Sequence, residues 1–191
     1  MAWLKPWLAL LCSALLCLAV PTVAAAEADK ATKQAEIRKN SERILDALYK
    51  AHPSARATIK SAAGYAVFSN VGVKILVAGG GKGAGMAVER ASGRETFMKM
   101  VEVQAGLGFG VKKFRQVFVF ETQAALRGFV ESGWEFGGQA TAAATDGQRG
   151  GAYQGALLVS PGVWVYQLTE KGLALELTGK GTKYYKDEAL N

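Results

Sequence analysis

One histidine, two cysteines confined to the amino terminus and no serine in a G-x-S-x-G setting leave this 191-residue chain few routes to covalent chemistry. His52 precedes Pro53 at what reads as a helix end, where a surface histidine is the ordinary outcome. A Ser-His-Asp triad would have to use it, yet no strained nucleophile turn accompanies it. A zinc site needs three or four His, Cys or carboxylate ligands, and Cys12 and Cys17 both lie in an N-terminal apolar run. No metal and no cofactor is expected. Glu102, Glu121, Glu135 and Glu176 would support acid–base hydrolysis if folding brought two of them together. Taken singly, each reads as a solvated strand residue. Gly79, Gly81 and Ala84 fit the loose G-x-G-x-x-A form, but a dinucleotide site needs a helix next to hold the pyrophosphate. Met86 to Met100 reads as a hairpin instead, so Gly79 to Gly85 is expected to be a flexible connection or a sharp bend. The chain is expected not to be an enzyme.

Cations beside aromatic rings are the chemistry that remains. Lys39, Arg43 and Lys50 lie along one helix flank, interrupted by Glu36 and Asp46. Lys112-Lys113-Phe114-Arg115 falls at a strand-to-strand turn, and Lys180, Lys183 and Lys186 surround Tyr184-Tyr185. At a membrane surface lysines attract anionic headgroups, about 1 kcal/mol each, while Phe and Tyr enter the boundary layer. The candidate lipid-binding residues are therefore Lys39, Arg43, Lys50, Lys112, Lys113, Phe114, Arg115, Lys183 and Tyr184. The plainer alternative, that the helix packs on its own sheet and the lysines solvate loops, stays open.

The amino terminus reads as an export signal: Lys5, an uncharged run from Leu8 to Val20, then Ala24-Ala25-Ala26 ahead of Glu27. Cleavage after Ala26 would leave no cysteine, hence no disulfide and no thiolate. It would also leave twenty-two Lys and Arg against sixteen Asp and Glu, a charge of +6. An exported cation of this kind meets anionic lipid rather than nucleic acid, so the expected location is periplasmic, peripheral on a membrane.

The positioning elements follow from periodicity. Ile37, Ser41, Ile44, Leu48 and Ala51 recur at steps of three and four, predicting a helix over 31–51 that Pro53 stops. Ser54 to Ala62 predicts a second short helix with Ser54 as cap. After Gly64 the period becomes two: Tyr65–Phe68, Val73–Ala78, Met86–Arg90, Thr96–Met100, Val117–Phe120, Trp134–Ala144, Val163–Thr169 and Leu173–Thr178 read as strands, with a last short one at Tyr184-Tyr185. Ala91 to Arg94 and Glu170 to Gly172 read as turns, and Asp146 to Gly151 as a loop. From Val101 to Val111 the odd positions are apolar and are expected to enter the core. The even positions include Gly106, Gly108 and Gly110, which would let the sheet bend or a partner protein approach. Thr122 is expected to cap a helix carrying Leu126, Phe129 and Val130, closed by Gly133. The fold class is α+β: a strongly bent antiparallel sheet, a small barrel or curled sandwich, with two N-terminal helices and one inserted helix. Residues 1–26 are the signal, 27–62 a helical segment, and 63–191 the β-rich domain that folds with it.

Gly64-Tyr65-Ala66-Val67-Phe68, Gly79-Gly80-Gly81, Val117-Phe118-Val119-Phe120 and Gly133-Trp134-Glu135-Phe136-Gly137-Gly138-Gln139-Ala140 resemble the SYLF domain. That family includes yeast actin-binding proteins and many exported bacterial proteins. The likeness runs from about Ala31 to Asn191. It implies a non-enzymatic domain that binds phospholipid, phosphoinositides in eukaryotic members, with an N-terminal amphipathic segment here matching Ala31–Ala51. Ser69 stands where relatives usually have proline. An exported protein meets neither actin nor much phosphoinositide, so actin is not carried over as a partner. The expected function is binding of anionic phospholipid. The alternative is a structural envelope protein that binds a partner protein without lipid specificity.

Overall fold

The computed structural model describes residues 20–75, 78–105, 110–136, 155–169, 172–174 and 181–191. Three helices, α1 (Val20–Ala51), α2 (Ser54–Ser61) and α3 (Gln123–Glu131), accompany nine strands among these residues. The strands are β1 (Gly64–Ile75), β2 (Ala78–Glu89), β3 (Glu95–Ala105), β4 (Gly110–Phe120), β5 (Trp134–Phe136), β6 (Leu157–Ser160), β7 (Val163–Thr169), β8 (Gly172–Ala174) and β9 (Thr182–Lys186). They form one sheet in the order β5-β9-β3-β2-β1-β4-β7-β6, with β8 also on β7, and every pairing is antiparallel. This is the α+β class with a bent antiparallel sheet that the pattern predicts.

The bend is visible in side chains. In a flat sheet, four inter-strand steps of about 4.8 Å would hold β9 and β4 about 19 Å apart. Yet the Tyr184 hydroxyl on β9 donates to Gln116 Oε1 on β4 at 2.6 Å, and the Tyr184 and Phe118 rings lie 5.1 Å apart. The sheet therefore curls, and its concave face encloses Phe68, Met98, Phe118, Phe120 and Tyr184. α3 closes this interior by inserting Leu126 and Phe129. Its N-cap is Thr122, which accepts from the Ala125 N–H at 3.2 Å, and Gly133 beyond its end takes φ +69°, as the pattern predicts.

α1 and α2 cover part of the convex face. Aligned residues of antiparallel strands point the same way, so Tyr166, Val117, Val67, Met86 and Phe97 form one row. All five are buried, and Ile37, Ile44 and Leu48 of α1 with Ile59 of α2 pack against this row. Of the predicted α1 stripe, Ser41, Ile44 and Leu48 are buried and Ile37 half-buried, but Ala51 is exposed at the helix end, and the helix begins at Val20 rather than Ala31. Ser54 does not cap α2. Pro53 occupies that position without a side-chain hydrogen bond, because proline's missing N–H is no loss at a helix start.

Three strand expectations are corrected. Tyr65–Phe68 and the Val73–Ile75 part of Val73–Ala78 belong to the single strand β1, Ala78 opens β2 with 76–77 outside the described residues, and β6 is not marked by the sequence pattern. Gly79 to Gly85 is neither connection nor bend but the body of β2, paired to both β1 and β3. Its alternate glycines make room for neighbours: a Cβ at Gly83 or Gly85 would stand 2.4 Å from Ser69 O or 2.1 Å from Val67 O. At Gly81 it would stand 2.7 Å from the Asn70 amide. Gly85→Ala is accordingly expected to cost about 1–3 kcal/mol by overpacking, read as a lower denaturant midpoint. An unchanged midpoint would mean that the glycines are not needed for space.

The third correction concerns Val101–Val111, which is two strands, with 106–109 outside the described residues. Among its described odd positions Val103 is 65% exposed and Val101 half-buried, while Glu102 is 4% exposed. Met98 and Met100 point inward, and the two-residue repeat then commits Glu102 to the same side. The parts of the expected strands Trp134–Ala144 after Phe136 and Leu173–Thr178 after Ala174, and the loop at 146–151, lie outside the described residues.

Candidate functional site

A helix about 10–12 Å across, centred on the Val67 row, reaches the neighbouring rows about 7 Å to either side and little beyond. Past the Ser69 row, the convex face is open. Asn40 of α1 marks that border, its amide donating to Ser69 Oγ at 2.8 Å. On the opposite flank, Leu45 and Tyr49 pack with Tyr65 toward the other end of β1. Arg43 and Lys50 follow Asn40 at helical steps of three and seven. They are exposed on the outer side of that flank, and Lys39, also exposed, stands about 180° around the helix from buried Leu48 and so faces away from the sheet.

Two rows make up the floor nearest the helix. The first runs Arg115, Ser69, Ala84, Lys99 and Tyr185; the second runs Lys113, Val71, Lys82, Val101 and Lys183. Lys113, Lys82, Lys99 and Lys183 are exposed and Arg115 and Tyr185 half-buried. Lys99 is held by Asp187 at 2.7 Å and Lys183 by Glu135 at 3.0 Å. Among the described residues, Arg115, Lys113, Lys82, Lys39 and Arg43 form no ion pair. The result is a step: a helix flank carrying cations above a sheet floor carrying more of them.

The fold thus brings Arg43, Lys50, Lys113, Arg115 and Lys183, but not Lys39, to one side of the molecule. It does not bring Phe114 and Tyr184 with them. Both expected rings are buried, at 7% and 1% exposure, because alternation sends Phe114 inward between Lys113 and Arg115, and Tyr184 inward between Lys183 and Tyr185. Lys112 pairs with Gly72 in β4, and its side chain lies outside the described ones. Lys180 also lies outside them. Sequence reading missed Lys82, Val71 and Val103, which join this face only through the pairing of β2 with β1 and β3; no local signal marks them.

The concave face holds the polar alternative. The Asn70 amide donates to Glu102 Oε2, and Gln116 Nε2 donates to Gln167 Oε1 at 3.3 Å. Burial, and then the charge of Glu102, push the Tyr184 hydroxyl well above the usual phenol range, against the opposing hydrogen bond with Gln116. Glu102 is too enclosed to meet a substrate. Glu121 is exposed at the end of β4, accepting from Trp164 Nε1 at 3.0 Å, and Glu135 faces outward against Lys183. The three described carboxylates therefore do not converge, and Glu176 lies outside the described residues. Among the described residues no group of three His, Cys, Asp or Glu could hold a metal ion. Gly106 and Gly108, on which a partner-protein contact was expected, are outside the described residues.

A groove of about 660 Å³ lies between α1, α3 and the chain end, lined among others by Gln34, Arg94, Glu95, Glu131, Lys186 and Glu188. Its charges are mixed, so it has no preference for an anion. Among the described residues no helix is long and apolar enough to cross a membrane.

Residues 101–191 match the model of the Ysc84 family, described as "Las17-binding protein actin regulator". Over 165 residues the chain is 34% identical to "Beta cell expansion factor A" of Aeromonas veronii, an alignment covering 84% of this chain and 60% of the relative. The chain thus spans about three-fifths of the length of the curated relative it matches.

Proposed function

We propose, from the match of residues 101–191 to the Ysc84 (SYLF) family, that this protein is a binding domain that takes anionic phospholipid at a membrane surface. One observation carries the reading. Lys82 of β2 and Lys113 and Arg115 of β4, far apart in sequence, stand together on the convex face around Val71, on the side of α1 that Asn40 borders and near its exposed Arg43 and Lys50. Cations gathered on one face attract a negatively charged surface together, where scattered ones would not. Export by the signal at residues 1–26 would bring this face to a periplasmic membrane. Actin and phosphoinositide belong to other branches of the family and are not part of the proposal.

Cosedimentation with vesicles tests it. Binding should rise with the fraction of phosphatidylglycerol in phosphatidylcholine and fall as salt goes from low to about 0.5 M, since exposed charges are screened over about 10 Å at 0.1 M. Equal binding to neutral and anionic vesicles, or to neither, would end this reading.

A further inference from the structure

The same face carries apolar side chains where solvent would favour polar ones. Val71 and Val103 are 51% and 65% exposed, and they are the large hydrophobic residues that stand out from the surface among those described. Val71 lies on β1 and Val103 on β3, with β2 between them. The row beyond Val71 runs Val73, Gly80, Val103, so Gly80 lies beside Val103 and diagonally across from Val71 on the same face. This glycine differs from Gly81, Gly83 and Gly85. A Cβ at Gly80 would meet only Glu102 O, at an ordinary 3.5 Å, and its φ is not in the left-handed range. Neither packing nor backbone geometry requires glycine there. What its absent side chain provides is a flat opening toward the outside, between two exposed valines and beside Lys82 and Lys113.

Resting on the lipid reading above, we infer that the contact is an inserting one: Val71 and Val103 enter the acyl boundary across Gly80, while Lys82, Lys113 and Arg115 stay at the headgroup phosphates. Charge complementarity selects the occupant. No acidic side chain lies in the β1–β4 part of the rows through Ser69 and Val71, where three cations free of ion pairs among the described residues stand. An apolar segment with an anionic rim is the geometry of a phospholipid bilayer. Lysine stems cover apolar surface while their heads remain in the polar layer, so cations one row away do not oppose the insertion. The strands would then lie with the open half of their convex face against the bilayer, and α1 would be a shoulder rather than the leading edge.

The test uses protein purified in its naturally processed form, with vesicles of phosphatidylglycerol and phosphatidylcholine whose acyl chains are brominated. Val103→Trp should gain emission that bound brominated vesicles quench by at least about half, beyond any quenching of the parent's own tryptophans. Sedimentation of the variant without that quenching overturns the inference and leaves the lipid reading standing. Failure of the parent to sediment overturns both. Gly80→Glu supplies a second arm that needs no new ring. It should lower vesicle affinity about tenfold or more with the melting curve unchanged, and unchanged affinity overturns the inference.

Discussion

Replacing Arg43, Lys50, Lys82, Lys113 and Arg115 together by glutamate should abolish sedimentation with anionic vesicles. Each cation near an anionic surface contributes about 1 kcal/mol, so losing five removes about 5 kcal/mol, more than a thousandfold in affinity. The new carboxylates add repulsion. None of the five is held in an ion pair among the described residues, and Arg115, the least exposed, is half-buried. The fold should therefore survive, as far-ultraviolet circular dichroism would report. Reversing Lys99 and Lys183 is a useful contrast. Their charges are already matched by Asp187 and Glu135, so the loss of binding should be small. If the fivefold variant sediments like the parent, electrostatics cannot be the origin of the contact.

Phe118→Ala should produce the largest loss of stability of any single replacement considered. Phe118 is 1% exposed at the centre of the concave core, with the Phe129, Tyr184 and Trp134 rings at 5.4, 5.1 and 5.8 Å. The Phe68 ring meets it edge-on at 6.0 Å and 87°. These neighbours come from four different elements, so removing the ring leaves a cavity that no single one can fill by a rotamer change. Phe→Ala in a core costs about 3–5 kcal/mol, a large share of the roughly 5–15 kcal/mol that holds a domain together. Denaturant unfolding measures it. A loss under about 1 kcal/mol would show that the curl of the sheet does not depend on this core. Phe118→Leu keeps most of the volume and should cost much less.

How far the sequence could be read depends on which question periodicity answers. Local patterns were sufficient for the helix at 123–131, where the Thr122 cap and the Gly133 termination act within one turn of the chain. The same holds for the inward stripe of α1, since Ile44 and Leu48 share a face whatever they pack against. Val117 to Phe120, apolar on both sides, could only be a central strand, and it lies between β1 and β7. The glycine run misled because glycine suits a bend and a crowded strand equally. Only the contacts of Phe68, Asn70 and Met100 distinguish the two.

The likeness to the Ysc84 family over residues 101–191, the α+β class and the excess of cations were set by the sequence alone. A period of two separates a strand into two faces through local geometry, and a cap or a proline acts on its immediate neighbours. Which face became the interior was a tertiary decision. Met98 and Met100 drew Glu102 inward and turned Val103 out, and the same alternation buried Phe114 and Tyr184 while exposing the lysines beside them. The open half of the convex sheet likewise exists because α1 is one helix wide and crosses the strands at a single level. Long-range register placed Lys82 and Lys113 either side of Val71, and no property of any one segment encodes that meeting.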